Sequence, residues 1–525
     1  MSTTSLNDIA EAAAERRSVA VIDIGTTSIR MAIAEIDSEG SVEILDRLRQ
    51  AVDLGKDTFT RGSIRRATIE QCVNVLKDYQ RILAEYGITR PEEVRIVATS
   101  AVREADNRLA FLDRTYIATG LHVEALEEAE VSRVTFLGIR PQLENAAGIA
   151  AAQVVCEVGG GNTEMLLLQS NTVAYAQTYR LGSLRLRESL EKAATSSTKF
   201  RRMMETQIGR IVNQVRQHLP GDVPVDLVAL GGDVRFVVAQ LLPPQQSGEL
   251  ASISVEQLSQ LTDTVLEMTV EQLAQKYQLT QPDAETLGPA LLTYVHLARA
   301  LMLDNIFTSN INLRDGLLAE MAAGHSWSQE FEDQVIGSVM ELGRRFSFDQ
   351  AHALHTAKLA KSLFRLLEDE HKLEARFQTI LSIAAMLHEI GQFVSSRGYH
   401  KHTMYLINNS ELFGIGQTNL QMISLVTRYQ RRASPKPSHK DYMALSRDQR
   451  VAVVKLAAIL RVALALDTSR TQRITNLLVD KPNGQLVIST PDVDDLSDEQ
   501  LALKQNGSLF EETYGMPVRF TTSPG

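Results

Sequence analysis

The residues in this chain best equipped for chemistry lie in two glycine turns, each entered by an acid. Residues 19–30 read VAVIDIGTTSIR and residues 154–165 read VVCEVGGGNTEM. In both, an apolar run rich in valine ends on a carboxylate, Asp23 or Glu157. The chain then turns through Gly25, or through Gly159, Gly160 and Gly161. Small hydroxyl and amide residues follow: Thr26, Thr27 and Ser28 in the first turn, Asn162 and Thr163 in the second. Glycine lets the backbone approach an anion closely, main-chain N–H groups and hydroxyls donate to it, and the acid can hold a divalent cation or its water. That is equipment for phosphate chemistry, and the same order met twice predicts duplicated lobes facing each other across a cleft.

The elements that must position these turns alternate between strand and helix. A strand is expected at 19–24, a return strand at 31–36, a helix over about 64–86, a strand at 94–98 and a helix over about 104–119, which is α/β organisation. Residues 154–168 repeat the opening strand, turn and strand, helices follow near 183–218, and VDLVALGG at 225–232 is another buried strand ending in glycines. From about residue 325 helical patterns rich in Ala, Leu, Arg and Glu run to about 470. Alternation returns in NLLVD, QLVIST and MPVRF, with a turn at Pro482-Asn483-Gly484. The expected division is a polar leader at 1–18, a first lobe at 19–140, a second at 141–324, a helical domain at 325–475 and a small β-rich piece at 476–525.

A chain of 525 residues needs several cores. Its net charge of −10 argues against a nucleic-acid coat, so an anionic substrate needs a local basic groove. Two cysteines, Cys72 and Cys156, define no disulfide framework, and a reducing cytoplasm fits them. The leader lacks a secretory apolar core, and the apolar segments near 146–156 and 451–466 are too short or carry Lys455 and Arg461, so a soluble protein is expected without membrane or nucleic-acid partners.

With these residues in hand, the first 320 or so positions resemble the exopolyphosphatase and guanosine pentaphosphate phosphohydrolase (Ppx/GppA) family. DIGTTSIR resembles its first phosphate loop, ATSAVREADN at 98–107 the segment that brings an arginine to phosphate, and EVGGGNTE at 157–164 its second loop. LGSLRLRE at 181–188 is similar to the stretch after that loop, and NLRDGLL at 312–318 to the segment closing the second lobe. HALHTAKLAKSLF, AAMLHEIGQFVSSRGYHKHTMYLINNSELFG and RYQRR resemble the family's degenerate HD domain, in family order. The resemblance implies two lobes of the actin, Hsp70 and acetate-kinase (ribonuclease H-like) fold, an all-α HD-like domain and a small C-terminal piece.

It further implies hydrolysis of terminal phosphate from inorganic polyphosphate or from guanosine pentaphosphate, in a cytoplasmic homodimer, with Mg²⁺ as cofactor and room for a monovalent cation. The loop amides at Gly25–Ser28 and Gly159–Thr163 would cradle the phosphate, Arg30 and Arg103 would neutralise it, and Asp23 and Glu157 would position Mg²⁺ and water. Glu164 is a supporting carboxylate. The family's catalytic glutamate lies in a segment similar to SGxEEARLIFxGV, and the matching LEEAEVSRVTFLGI at 126–139 puts Val131 at that position, with Glu130 one residue earlier. Glu130 is therefore the candidate base, and a catalytically weakened protein that binds polyphosphate or an alarmone is the alternative.

Two further departures stand beside it: Glu157 replaces an aspartate, and Asp233 follows Gly231 and Gly232 where a threonine is usual, with Arg235 near enough in sequence to neutralise it. DIGTTSIR would also suit a sugar or acetate kinase of the same superfold, but no aspartate base or adenosine pocket can be assigned. In the helical part His355, His388, Glu389 and Asp467 fall roughly where active HD enzymes place metal ligands, and are expected here to be packing residues. His400, Lys401 and His402 with Arg428, Arg431 and Arg432 form a basic patch that could extend a track for a long polyanion.

Overall fold

Strand β1 (Arg17–Ile24) is buried on both faces from Val19 onward, and its side-chain parity separates two cores. Ala20, Ile22 and Ile24 join Cys72, Leu76 and Tyr79 of the helix Arg66–Glu85 and Phe111 of the helix Arg108–Thr119. Val19 and Val21 join Val131 and Val134 of the helix Glu128–Asn145 and Leu317, Leu318 and Met321 of the helix Leu313–Ala322. A strand covered on both sides needs the continuous apolar run seen here, and its carboxyl end opens where the covering helices end.

The computed structural model describes residues 16–146, 148–191, 197–217, 224–243, 249–324, 329–491 and 493–522. Of the polar leader expected at 1–18, residues 1–15 lie outside the described residues. The chain divides into two compact units, 1–326 and 327–525.

The first unit holds two sheets of matching topology. In one, β1 pairs antiparallel with β2 (Ser28–Ile36), which pairs antiparallel with β3 (Val42–Ala51). On its other side β1 runs parallel to β4 (Val94–Ala98), itself parallel to β5 (Glu124–Ala125). In the other, β6 (Ala152–Val158) pairs antiparallel with β7 (Thr163–Gln169), and β7 with β8 (Thr172–Tyr179). β6 is parallel to β9 (Val225–Leu230), β9 to β11 (Asn305–Thr308), and β10 (Ala251–Ser254) adds an antiparallel edge. The mirrored lobes expected from the two glycine turns are these two sheets.

NLRDGLL does not close the second lobe as expected. It begins the helix Leu313–Ala322, which returns to the first sheet and crosses the helix Glu128–Asn145. The crossing is close because both helices present glycine there. A Cβ on Gly316 would collide with the carbonyl of Val134, and one on Gly138 would lie 3.2 Å from the nitrogen of Gly316.

The second unit is helical through the helix Arg447–Leu466, which is buried around most of its circumference. Its Arg461, 1% exposed, donates to the carbonyls of Tyr429 at 2.8 Å, Ala433 at 2.7 Å and Asn506 at 3.2 Å. Three short strands follow, β12 (Leu478–Asp480), β13 (Leu486–Ser489) and β14 (Val518–Thr521), with the helices Ser497–Asn506 and Ser508–Tyr514 between the last two. No helix of the described residues is long and apolar enough to cross a membrane.

Candidate active site

The two glycine turns have one geometry. Gly25 N donates to Ser28 O at 3.0 Å, and Gly159 N donates to Asn162 O at 2.9 Å. The turns meet face to face: a Cβ on Gly160 would lie 2.8 Å from Cγ2 of Thr26, and one on Gly182 would overlap the backbone of Gly160 and Gly161. This packing requires glycine and leaves a cavity of ≈ 570 Å³ above it. Tyr294 fixes the floor, its hydroxyl accepting from Val158 N at 2.8 Å and donating to Leu230 O at 2.6 Å, which ties β6 to β9.

Most residues expected at the site are brought together there. Asp23, Gly25, Thr26, Thr27, Arg30, Glu157, Gly159, Gly160, Gly161, Asn162 and Glu164 all line the cavity. Ser28 and Thr163 are buried as the first residues of β2 and β7, a step behind the wall, and the Thr163 hydroxyl donates to Leu181 O.

Two expected residues do not line the cavity themselves. Arg103 stands behind the cavity wall rather than in it: it donates to Leu126 O at 2.9 Å and to Glu128 Oε1 at 3.2 Å, bracing the start of the helix Glu128–Asn145, and its Nη2 donates to the side-chain oxygen of the cavity-lining Asn162 at 3.1 Å. Glu130 does not line the cavity either, because its Oε2 accepts from Glu127 N at 2.8 Å and caps the same helix. Val131, the next residue, lines the cavity. Successive helix side chains point about 100° apart, and here Val131 takes the direction of the cavity while Glu130 turns back to Glu127 N.

The hairpins differ in charge. Across β1 and β2, Asp23 is paired in register with Arg30; across β6 and β7 the corresponding pair is Glu157 and Glu164. Burial pushes the Glu164 carboxyl up to about 8, reinforced by the charge of Glu157. Burial also raises Glu157, against the pull of Arg235 and Arg30. The pair therefore holds a proton at neutral pH. Asp233, in the first turn of the helix Gly232–Leu241, is pushed up to about 7 by burial and by Asp283, with Arg235 opposing.

Further arginines complete the wall, of which the sequence singles out only Arg235, as a neutraliser of Asp233. Arg47, Arg49, Arg235 and Arg314 line the cavity with Arg30. Arg47 is held by Asp315 at 2.8 Å, and Arg49 by both oxygens of Asp283 at 2.7 and 2.5 Å. Arg314, 7% exposed, reaches Asp23 at 3.4 Å, yet its Nε is buried without a hydrogen-bond partner among the described residues. Arg235 Nη1 is in the same condition. Burial lowers both guanidiniums from their ordinary value, which an anion would reverse. The available signal was Arg314 inside NLRDGLL and the alternation of Arg47 and Arg49 on an edge strand. Thr99 and Ser100, at the end of β4, also line the cavity.

In the helical unit, His388, Glu389 and Asp467 gather as expected, but the histidine that meets them is His352 rather than His355. His352 Nδ1 lies 2.7 Å from Asp467 Oδ2, and its ring packs edge-on to His388 with centroids 5.2 Å apart. His355 sits one turn further along the same helix, with Nε2 buried and unpartnered among the described residues. In the basic patch, the Arg431 guanidinium lies over the Tyr399 ring at 5.4 Å, and burial with Arg428 and Arg431 lowers His400 to about 4, leaving it neutral at pH 7.

Known proteins resemble this chain over much of its length. A guanosine-5'-triphosphate,3'-diphosphate pyrophosphatase of Photobacterium profundum is 22% identical over 447 residues, 84% of this chain and 86% of that protein. The crystal structure of an exopolyphosphatase from Cytophaga hutchinsonii covers 59% of this chain and 98% of its own, at 21% identity and a TM-score of 0.52, a likeness of fold. A Ppx/GppA family member from Aquifex aeolicus covers 60% of this chain and all of its own, at 24% identity and a TM-score of 0.49. The sequence matches the Ppx/GppA phosphatase family over residues 32–325 and that family's domain III over residues 336–502. With its paired glycine turns closing on an arginine-walled cavity, this chain belongs to the Ppx/GppA phosphatase family.

Proposed function

We propose that this chain removes the terminal phosphate of inorganic polyphosphate or of guanosine pentaphosphate in the cavity of its first unit. The observation that carries the reading is the pair of buried guanidiniums, Arg235 and Arg314, each with an N–H that lacks a partner among the described residues. Such donors favour a polyanion and stabilise charge on phosphoryl oxygens, which is most of what phosphoryl transfer asks of a protein. Glu157 is the base that orients water, and Glu164 is the protonated partner beside it. Glu130 is set aside by its capping bond.

Mg²⁺ fits the donor set: burial and mutual repulsion disfavour the charged forms of Glu157 and Glu164, and a divalent cation would relieve both. Asp23 and Glu157 would hold it, and it would supply charge neutralisation at the scissile bond. The homodimer, the HD-like character of the helical unit and a cytoplasmic setting rest on the resemblance.

The test is phosphate release with Mg²⁺, on long-chain polyphosphate and on guanosine pentaphosphate in parallel, with an EDTA control. Release that Glu157→Gln abolishes and Glu130→Gln leaves intact supports the assignment; the reverse pattern overturns it.

A second reading is favoured by one observation, the valine at the cavity wall. A protein with Val131 there and Glu130 committed to its helix cap would bind polyphosphate or alarmone and hydrolyse it slowly. Tight binding without release, and a sharp gain of release in Val131→Glu, would select it.

A further inference from the structure

We propose that the helical unit binds one divalent first-row transition-metal ion of the zinc class on His352, His388 and Glu389, a site separate from the phosphate cavity. Each of the three offers a ligand atom, and these atoms lie within 4.8 Å of one another.

The hydrogen bonds behind the histidines fix which nitrogens are offered. His352 Nδ1 faces the carboxylate of Asp467 at 2.7 Å, and a carboxylate only accepts, so Nδ1 carries the proton and Nε2 the lone pair. Asp467 is steadied by Gln472, whose backbone N donates at 3.0 Å. His388 Nδ1 faces the Ala385 carbonyl at 2.7 Å, so it too is the donor and its Nε2 keeps a lone pair. That Nε2 is buried in a residue 2% exposed and has no hydrogen-bond partner among the described residues. A buried acceptor aimed at a second imidazole and a carboxylate is unsatisfied by protein and would be satisfied by a cation. Glu389 Oε1 lies 3.8 Å from it. Orientation of ligand histidines by a carboxylate and a backbone carbonyl is the arrangement metal sites use.

Two imidazoles and one carboxylate suit zinc, iron, nickel or copper and disfavour magnesium, which takes oxygen ligands. Arg470 is the competitor: its Nη2 reaches Glu389 Oε1 at 2.5 Å and its Nη1 reaches Asp349 at 3.3 Å. Its guanidinium is partly exposed and can withdraw, and Glu389 has a second oxygen, so the arginine sets how tightly the ion is held.

The test uses the full chain, stripped with a chelator, reloaded with Zn²⁺ or Co²⁺ and dialysed. The expected result is one retained equivalent by elemental analysis, a Co²⁺ visible spectrum with nitrogen ligands, a rise in the melting temperature, and no displacement by excess Mg²⁺. His352→Gln and His388→Gln should each lose the ion, Arg470→Ala should bind it several-fold more tightly, and Glu157→Gln should leave it in place. No metal retained above the chelated blank overturns the site, as does displacement by Mg²⁺ or equal retention in both histidine variants. Should a histidine variant fail to fold, the wild-type Co²⁺ spectrum decides, because a spectrum of oxygen ligands alone also overturns it.

Discussion

Glu164 holds a proton at neutral pH that a solvated glutamate gives up, and folding must therefore feel pH through it. Its folded value, about 8, stands above that of the unfolded chain, so the folded state binds the extra proton. This contribution is fully present below the unfolded carboxylate value and is lost as pH rises toward 8. Denaturant unfolding should show stability falling between pH 5 and pH 8 in the wild type, and a flatter profile in Glu164→Gln; equal slopes would remove Glu164 as the cause. Arg314 acts through its Nε, which has no hydrogen-bond partner among the described residues. Replacing it with alanine should weaken polyphosphate binding by roughly 10- to 100-fold, the worth of a charge-assisted hydrogen bond of about 1.5–3 kcal/mol. Calorimetry at fixed salt measures this, and unchanged affinity would take Arg314 out of the site. The loop residues were legible from sequence because acid, glycine and hydroxyl lie side by side there. Arg314 and Arg235 were harder to assign, since their role depends on which helix packs across which sheet.

Among the elements, the helix Leu313–Ala322 does more than its sequence suggests. It carries Arg314 into the cavity and packs Leu317 and Leu318 beneath β1. Its crossing with the helix Glu128–Asn145 depends on Gly316, and Gly316→Ala would force the two apart. Overpacking of this kind costs about 1–3 kcal/mol, read as a lower unfolding midpoint with a matching loss of phosphate binding. A midpoint equal to wild type would mean that the helices can separate freely. The strands β1, β4, β6 and β9 were readable as continuous apolar runs. β3 was not, because it alternates half-buried and exposed residues on an edge and reads as polar. The expected helix over 104–119 begins only at Arg108, because Asp106 N donates to Gly62 O at 2.8 Å and the Asn107 side-chain amide exchanges two 2.9 Å hydrogen bonds with the backbone of Ile64; Ser100–Arg103 is a separate short helix. Glu130 turns to its helix cap for a local reason: the same carboxylate that suits a base also suits the third position of a helix, where Glu127 N is the nearer partner.

At the scale of the molecule, each unit has its own buried centre, and that of the second is organised around a charge. Arg461 spans three carbonyls from separate segments, and burial lowers it to about 10. Arg461→Ala would leave those carbonyls without a donor, and a loss of about 3 kcal/mol is expected from three unsatisfied acceptors. The readout is the unfolding of the chain 327–525 expressed alone, which should melt cooperatively in the wild type and at a lower temperature in the variant. Equal melting would show that the carbonyls find other donors.

The two hairpins of the first unit share one closure and one strand pairing, yet they are ionic opposites. One sets an acid across from a base, the other an acid across from an acid. A duplicated scaffold thereby carries two electrostatic characters: the half with Asp23 sets it against the guanidiniums of Arg30 and Arg314, while the half with Glu157 and Glu164 sets two buried carboxyls against each other. Exchanging Arg30 and Glu164 between the halves would preserve net charge and move the acid pair to the opposite wall of the cleft, so that, on the proposed assignment, water would be oriented from the other arm.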